Sequence, residues 1–159
     1  MKFYIMAAVM LFAASVSNAE SFGIDKQSHP QEYCMALNVY YEARSSNLAD
    51  KYSVADVVLN RVKDTRYPNT VCKVVQDGYR EGRRDCQFSW YCDGKSDIPR
   101  DIDNWKEAQM IAWSIMNWDK MRGITEGATH YHATYVTPHW AKSLQMVGRI
   151  GAHIFYRWE

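Results

Sequence analysis

No apolar stretch in this 159-residue chain reaches the roughly 20 residues that a membrane-spanning helix needs. The longest candidate, Phe3 to Val16, follows Met1-Lys2 and precedes Ser17-Asn18-Ala19, which puts small residues at the −3 and −1 positions of a cut after Ala19. A cleaved export signal over residues 1–19 is therefore expected, followed by a polar lead-in over 20–30 and one domain over 31–159. An excess of charge of one sign is also missing. The formal net charge is +1, and Lys2 is the one charged residue of the leader, so the mature part balances 18 basic against 18 acidic side chains. A nucleic-acid binder would carry a basic stripe, so that class is set aside. CxxC pairs and an HExxH motif are absent, which removes the strongest signatures of a structural zinc site or a zinc peptidase. There is no internal repeat, linker or second domain, and the mature length suffices for one core.

Cysteine is present in an even number. Cys34, Cys72, Cys86 and Cys92 all follow the leader, and in an exported chain they read as disulfides with three connectivities open. Sequence neighbours suggest Cys86–Cys92, closing a small loop, and Cys34–Cys72, tying two helical segments. The spacing of Cys86 and Cys92 is poor for a metal. Aromatics are plentiful (Trp 6, Tyr 11, Phe 5), which suits a carbohydrate-facing cleft as well as a core.

Ser28-His29-Pro30-Gln31 resembles a helix start, with a cap, an early proline and a Gln three residues after the Ser. The first helix is expected over about 31–44, with Tyr33, Ala36, Leu37, Tyr40 and Tyr41 on one face. A second follows over about 50–64, carrying Val54, Val57, Val58, Arg61 and Val62, and it stops before Tyr67-Pro68. A short third helix covers about 70–76. The segment 77–100 reads as an irregular loop, and a loop of that length is usually functional or stapled. The fourth helix spans about 102–122, with Trp105, Ala108, Ile111, Ala112, Ile115 and Trp118 inward and Gly123 as terminator. From Ala128 the period changes to two: His130, His132 and Thr134 alternate with Tyr131, Ala133 and Tyr135. A second alternating stretch, 148–156, reads as one strand able to pair with the first. The expected class is α+β, mainly α, a helical domain with a small antiparallel sheet.

Glu42 stands in Val39-Tyr40-Tyr41-Glu42-Ala43-Arg44, at the end of a run from Tyr33 that otherwise reads as core. A charge there costs free energy unless paired, and burial raises a carboxyl pKa. A general acid working near neutral pH needs that shift. The competing reading is an ion pair with Arg44 or another cation at the helix end.

Three polar-aromatic clusters, Tyr41 to Arg44, Gln87-Phe88-Ser89-Trp90 and His130-Tyr131-His132, occur in order with Val57-Val58-Leu59-Asn60-Arg61-Val62 and Tyr67-Pro68. In these motifs the chain resembles the SleB/CwlJ-type cell wall hydrolases from about Met35 to Tyr156. The resemblance implies a lysozyme-like fold and cleavage of the β-1,4 bond between N-acetylmuramic acid and N-acetylglucosamine. It implies that Glu42 is the catalytic glutamate, acting as acid and then as base while a 1,6-anhydro sugar closes. Where the family commonly continues with Gly and Glu, this chain has Ser45 and Ser46. Gln87, Ser89 and Tyr131 are candidates to line the cleft, with His130 and His132 as further substrate-binding candidates. Trp90, Tyr135 and Trp140 are candidates to stack on sugars, and Asn60-Arg61 to anchor the second helix against the Glu42 region.

Ordinary glycosidases flank the scissile bond with two carboxylates. Asp50, Asp56, Asp85 and Asp93 lack an aromatic setting like that of Glu42, so a single-carboxylate reaction fits better. No cofactor or metal is expected. The resemblance implies the peptidoglycan glycan strand as partner, and a monomer acting in the periplasm or outside the cell is expected. Two other readings stand: a zinc amidase or peptidase using His130, His132 and His139, and a peptidoglycan-binding module without turnover.

Overall fold

The computed structural model describes residues 23–80 and 85–159; the expected leader, 1–19, lies outside them. Four helices come first: α1 (Pro30–Ala43), α2 (Leu48–Lys63), α3 (Val71–Val75) and α4 (Ile102–Asn117). Three strands follow: β1 (His130–Ala133), β2 (Gln145–Ile150) and β3 (His153–Arg157). The strands form one antiparallel sheet in the order β1-β3-β2. The class is α+β and mainly α, as expected.

α1 is the central helix and packs on α2, α3 and α4. Met35, Ala36 and Val39 are fully enclosed and Tyr40 nearly so, so burial extends well beyond the single stripe expected. Ser28 does not cap it. The N-cap is His29, without a side-chain bond, because Ser28 Oγ turns to Asp25 and Gln31 Oε1 accepts from the Cys72 amide at 3.0 Å. Gln31 thus links α1 to α3 beside the Cys34–Cys72 disulfide, whose Cα atoms are 5.2 Å apart. The second disulfide joins Cys86 to Cys92. Ile24, in the expected polar lead-in, packs into the core, and its amide donates to Gln109 Oε1 at 2.6 Å.

α4 ends at Asn117, five residues short of the expected end, and Trp118 is 69% exposed rather than inward. The cause is Asp56 of α2, which is fully buried. Its carboxylate accepts from Gly123 N at 3.0 Å, Thr125 N at 3.1 Å and Thr125 Oγ1 at 2.5 Å, and pairs with Arg122. Drawing these groups inward bends the chain through left-handed backbone at Asp119 (φ 51°) and Met121 (φ 62°). Two Asn60 bonds, Nδ2 to Thr125 Oγ1 at 3.1 Å and to the Ala128 carbonyl at 2.8 Å, fix the entry to β1.

The final segment is not one strand. It folds back at Gly151-Ala152 into the hairpin β2–β3, because Gly151 adopts φ +56° against the Asp50 side chain. Alternation continues across this turn, so the sequence period alone hides it.

Candidate active site

Glu42 lies on the last turn of α1, facing the sheet. Register pairs Tyr131 with Phe155 and Ala133 with His153, and directly opposed residues share a face of a pleated sheet. Tyr131, His153 and Phe155 therefore point together, toward the helices, and Phe155 closes a small core with Val57 and Ala128. From that face the Tyr131 hydroxyl donates to Glu42 Oε2 at 3.0 Å.

Burial raises the Glu42 carboxyl above its ordinary value, with partial opposition from the Tyr131 hydrogen bond and from the charges of His153 and Arg61. Enclosure and the neighbouring Glu42 push the Tyr131 phenol well above its ordinary range, so it stays a donor. Arg44 is not the partner of Glu42. Its guanidinium lies 5.4 Å from the centre of the Tyr40 ring, and Nη1 donates to the Tyr40 hydroxyl at 3.4 Å. In place of the helix-end ion pair with Arg44 considered above, Glu42 is a half-buried carboxyl that accepts a hydrogen bond.

Behind Tyr131 stands a polar group that sequence reasoning missed. His153 meets the Tyr131 ring edge-on at 5.0 Å, and its Nδ1 is 2.8 Å from Asp50 Oδ1. Asp50 is fully enclosed, and its Oδ2 accepts from the Ala152 amide at 3.0 Å. Burial alone would raise the Asp50 carboxyl, but hydrogen bonds from His153, Ala152 and Ser46 outweigh it and hold the group below its ordinary value. One signal was available: His153 falls on the same parity as Phe155, a polar residue in an apolar row.

Arg61 of α2 completes the surroundings. Its Nε donates to the Thr129 carbonyl at 2.7 Å, so Asn60 and Arg61 do anchor α2 to the approach to β1. Its guanidinium also lies 5.2 Å from the ring centres of Tyr67 and Phe88. Phe88 belongs to the segment closed by Cys86–Cys92, which therefore packs against Arg61. Gln87 and Ser89 flank Phe88 and are exposed, as residues on the rim of a cleft would be. Trp90 is enclosed, stacks on Tyr41 at 4.8 Å and donates to Asn38 Oδ1 at 3.2 Å; it belongs to the core rather than to a sugar-stacking surface.

His130 and His132 are not brought to Glu42. They alternate with Tyr131 and point to the other face of the sheet, where Trp140 lies 5.3 Å from the His130 ring and 5.6 Å from that of His132. His132 Nε2 is 3.0 Å from the Tyr156 hydroxyl. Burial, with Arg61 and Arg66 nearby, holds His130 down to about 4, so it is neutral at physiological pH. Tyr135 is 88% exposed. Among the described residues, no three His, Cys, Asp or Glu side chains gather as metal ligands would, which leaves the His130, His132 and His139 set apart. No helix among these residues is long and apolar enough to cross a membrane.

A family model described as Cell Wall Hydrolase matches residues 45–156, beginning three residues after Glu42. No curated protein matches the chain. Among solved structures, the catalytic domain of the germination-specific lytic transglycosylase SleB from Bacillus anthracis is 28% identical, with a TM-score of 0.60. The alignment covers 85% of this chain and 100% of that domain. The catalytic domain of the Bacillus cereus SleB protein is 27% identical with a TM-score of 0.56, covering 80% of this chain and 91% of that one. The family match takes in α2, the disulfide-closed loop, α4 and all of the sheet but its last residue, and the solved relatives share this arrangement over most of their length: the chain belongs to the cell wall hydrolase family.

Proposed function

We propose that the protein cleaves the β-1,4 bond between N-acetylmuramic acid and N-acetylglucosamine of peptidoglycan by lytic transglycosylation, with Glu42 as acid and then base. The observation that carries this reading is a single half-buried carboxyl whose pKa desolvation raises, with no second carboxylate among the described residues whose charge bears on it. Asp50 and Asp56 are the nearest alternatives on α2, and both are enclosed and spent on internal hydrogen bonds. Neither is placed to act as a nucleophile or to activate a water, as a two-carboxylate glycosidase requires.

In the reaction, Glu42 gives its proton to the glycosidic oxygen as the bond from that oxygen to C1 of the muramic acid breaks. The N-acetylglucosamine leaves with a free hydroxyl, and positive charge develops at C1. The C6 hydroxyl of the same muramic acid then bonds to C1 and returns its proton to the Glu42 carboxylate. The products are a 1,6-anhydro muramic acid end and a regenerated acid. Tyr131 holds Glu42 in place through both steps. Gln87 and Ser89 form the rim that meets the sugars, while His130 and His132 stand outside the reaction centre. Export through residues 1–19, action in the periplasm or outside the cell, and a monomeric state belong to the same reading.

Digestion of purified sacculi with mass spectrometry of the soluble products tests it. Anhydro-muropeptides are expected from the wild-type chain and none from Glu42→Gln. Reducing-end muramic acid would mean hydrolysis. Activity lost in EDTA and restored by zinc would replace the glutamate mechanism with a metal one, and release of nothing would favour a binding module.

A further inference from the structure

A buried cation stands near Glu42 with part of its hydrogen-bonding capacity unused. Arg61 is 5% exposed. Its Nε is engaged by Thr129 and its flat faces by Tyr67 and Phe88. Nη1 is enclosed and has no hydrogen-bond partner. Taking a guanidinium out of water is costly, and a carboxylate beside it is the usual remedy. Among the described residues, none forms an ion pair with Arg61. The groups whose charge reaches it are Tyr67 after α2, Tyr131 on β1, Asp77 after α3 and Glu42 on α1. Glu42 is faced in turn by Tyr131, by His153 from β3 and by Arg61.

This arrangement is unbalanced at rest and balanced during the reaction. Before Glu42 ionises, the carboxylate whose charge reaches the cation is that of Asp77 after α3, which forms no ion pair with it and leaves Nη1 without a partner. Once the proton has gone to the glycosidic oxygen, a carboxylate appears in the same low-dielectric setting, where opposite charges attract far more strongly than in water. We infer that Arg61 is the fixed counter-charge for the Glu42 carboxylate formed in the first step. The fork that Thr129 holds in place, with its unspent Nη1, stabilises the ionised state more than the resting acid. An interaction stronger after proton donation than before it lowers the barrier, and a preorganised charge does so without reorienting. Arg61 acts through Glu42 and is a positioning residue. The inference rests on Glu42 being the acid.

Release from sacculi, followed against pH with thermal melts alongside, separates this role from a structural one. Arg61→Gln removes the charge. Its alkaline limb, set by loss of the Glu42 proton, is expected to move up by about one pH unit, and its plateau rate to fall by roughly 10–100-fold. KM is expected to change little. Arg61→Lys keeps the charge and is expected to hold the limb in place while recovering much of the rate. If Arg61 only ties α2 to Thr129, both variants lose rate and melting temperature while the limb stays put in each, and the inference falls. Should Arg61→Gln fail to fold, nitrogen NMR of the wild-type Arg61 guanidinium decides: an Nη1 signal that moves with the Glu42 titration and stays still in Glu42→Gln supports the counter-charge, and one that never moves overturns it. Failure of the underlying reading looks different, because Glu42→Gln would then still release anhydro-muropeptides.

Discussion

The Tyr131 hydroxyl and Glu42 Oε2 are joined by a 3.0 Å hydrogen bond across 89 residues of sequence. A donor favours the ionised carboxylate over the acid, so this bond opposes the upward shift that burial imposes on Glu42. Tyr131→Phe removes the donor and keeps the ring. The Glu42 carboxyl should then rise further, moving the alkaline limb of the pH–rate profile to higher pH, while the plateau falls by about 10-fold or more. A profile that drops without moving would mean that Tyr131 shapes the cleft and does not tune the acid.

Glu42 also links stability to pH. Burial holds its folded-state pKa above the unfolded value, so the folded chain keeps a proton that the unfolded chain has lost. The stability from this group is full below the ordinary carboxyl pKa and is lost as pH rises through the raised one. Glu42→Gln has no proton to lose. Its melting temperature should therefore gain on the wild type more at about pH 8 than at about pH 4. An equal difference at both pH values would contradict a raised pKa.

Gly151 is the position where the sheet meets Asp50. A Cβ there would lie 2.7 Å from the Asp50 Cβ and 2.8 Å from its Cγ and Oδ2, at φ +56°. Asp50 has no room to yield, because both its oxygens are held, by His153 and by the Ala152 amide. Gly151→Ala should cost about 2–4 kcal/mol in urea unfolding. It should also reduce activity, since the displaced hairpin carries His153 away from Tyr131. Unfolding indistinguishable from the wild type would show that the hairpin shifts freely.

These residues mark where the sequence was legible and where it was not. α1 to α3 lie within two residues of their expected bounds, since local periodicity, the Thr70 and Asn47 caps and the Tyr67-Pro68 stop all act over a few residues. The upward push of burial on the Glu42 carboxyl was legible for the same reason: a carboxyl inside an apolar helix is a local anomaly. The end of α4 was not, because Asp56 of α2 reshapes residues 122–125 by long-range hydrogen bonds. The β2–β3 hairpin was hidden because a two-residue turn preserves alternation on both sides. Asp50 was discounted for lacking aromatic neighbours in sequence, yet its His153 partner, 103 positions away, touches Tyr131. Arg61 was legible as an anchor, while its unspent donor depends on where Tyr67, Phe88 and Thr129 converge.

The two disulfides should separate stability from function. Cys34–Cys72 closes a separation of 38 residues and Cys86–Cys92 one of 6. By chain entropy they contribute about 4 and about 2 kcal/mol. Replacing Cys34 and Cys72 together by Ser should therefore cost more stability, because that bridge fixes α3 to α1 at the edge of the core. Replacing Cys86 and Cys92 should cost more activity for each kcal/mol lost. The smaller ring carries Phe88, which packs on Arg61, and Trp90, which stacks on Tyr41 beside the acid, and it holds Gln87 and Ser89 at the rim. Urea melts and release rates on the two double variants check this. A Cys86/Cys92 variant that melts early but works at the wild-type rate while folded would free Gln87 to Trp90 from any part in the cleft.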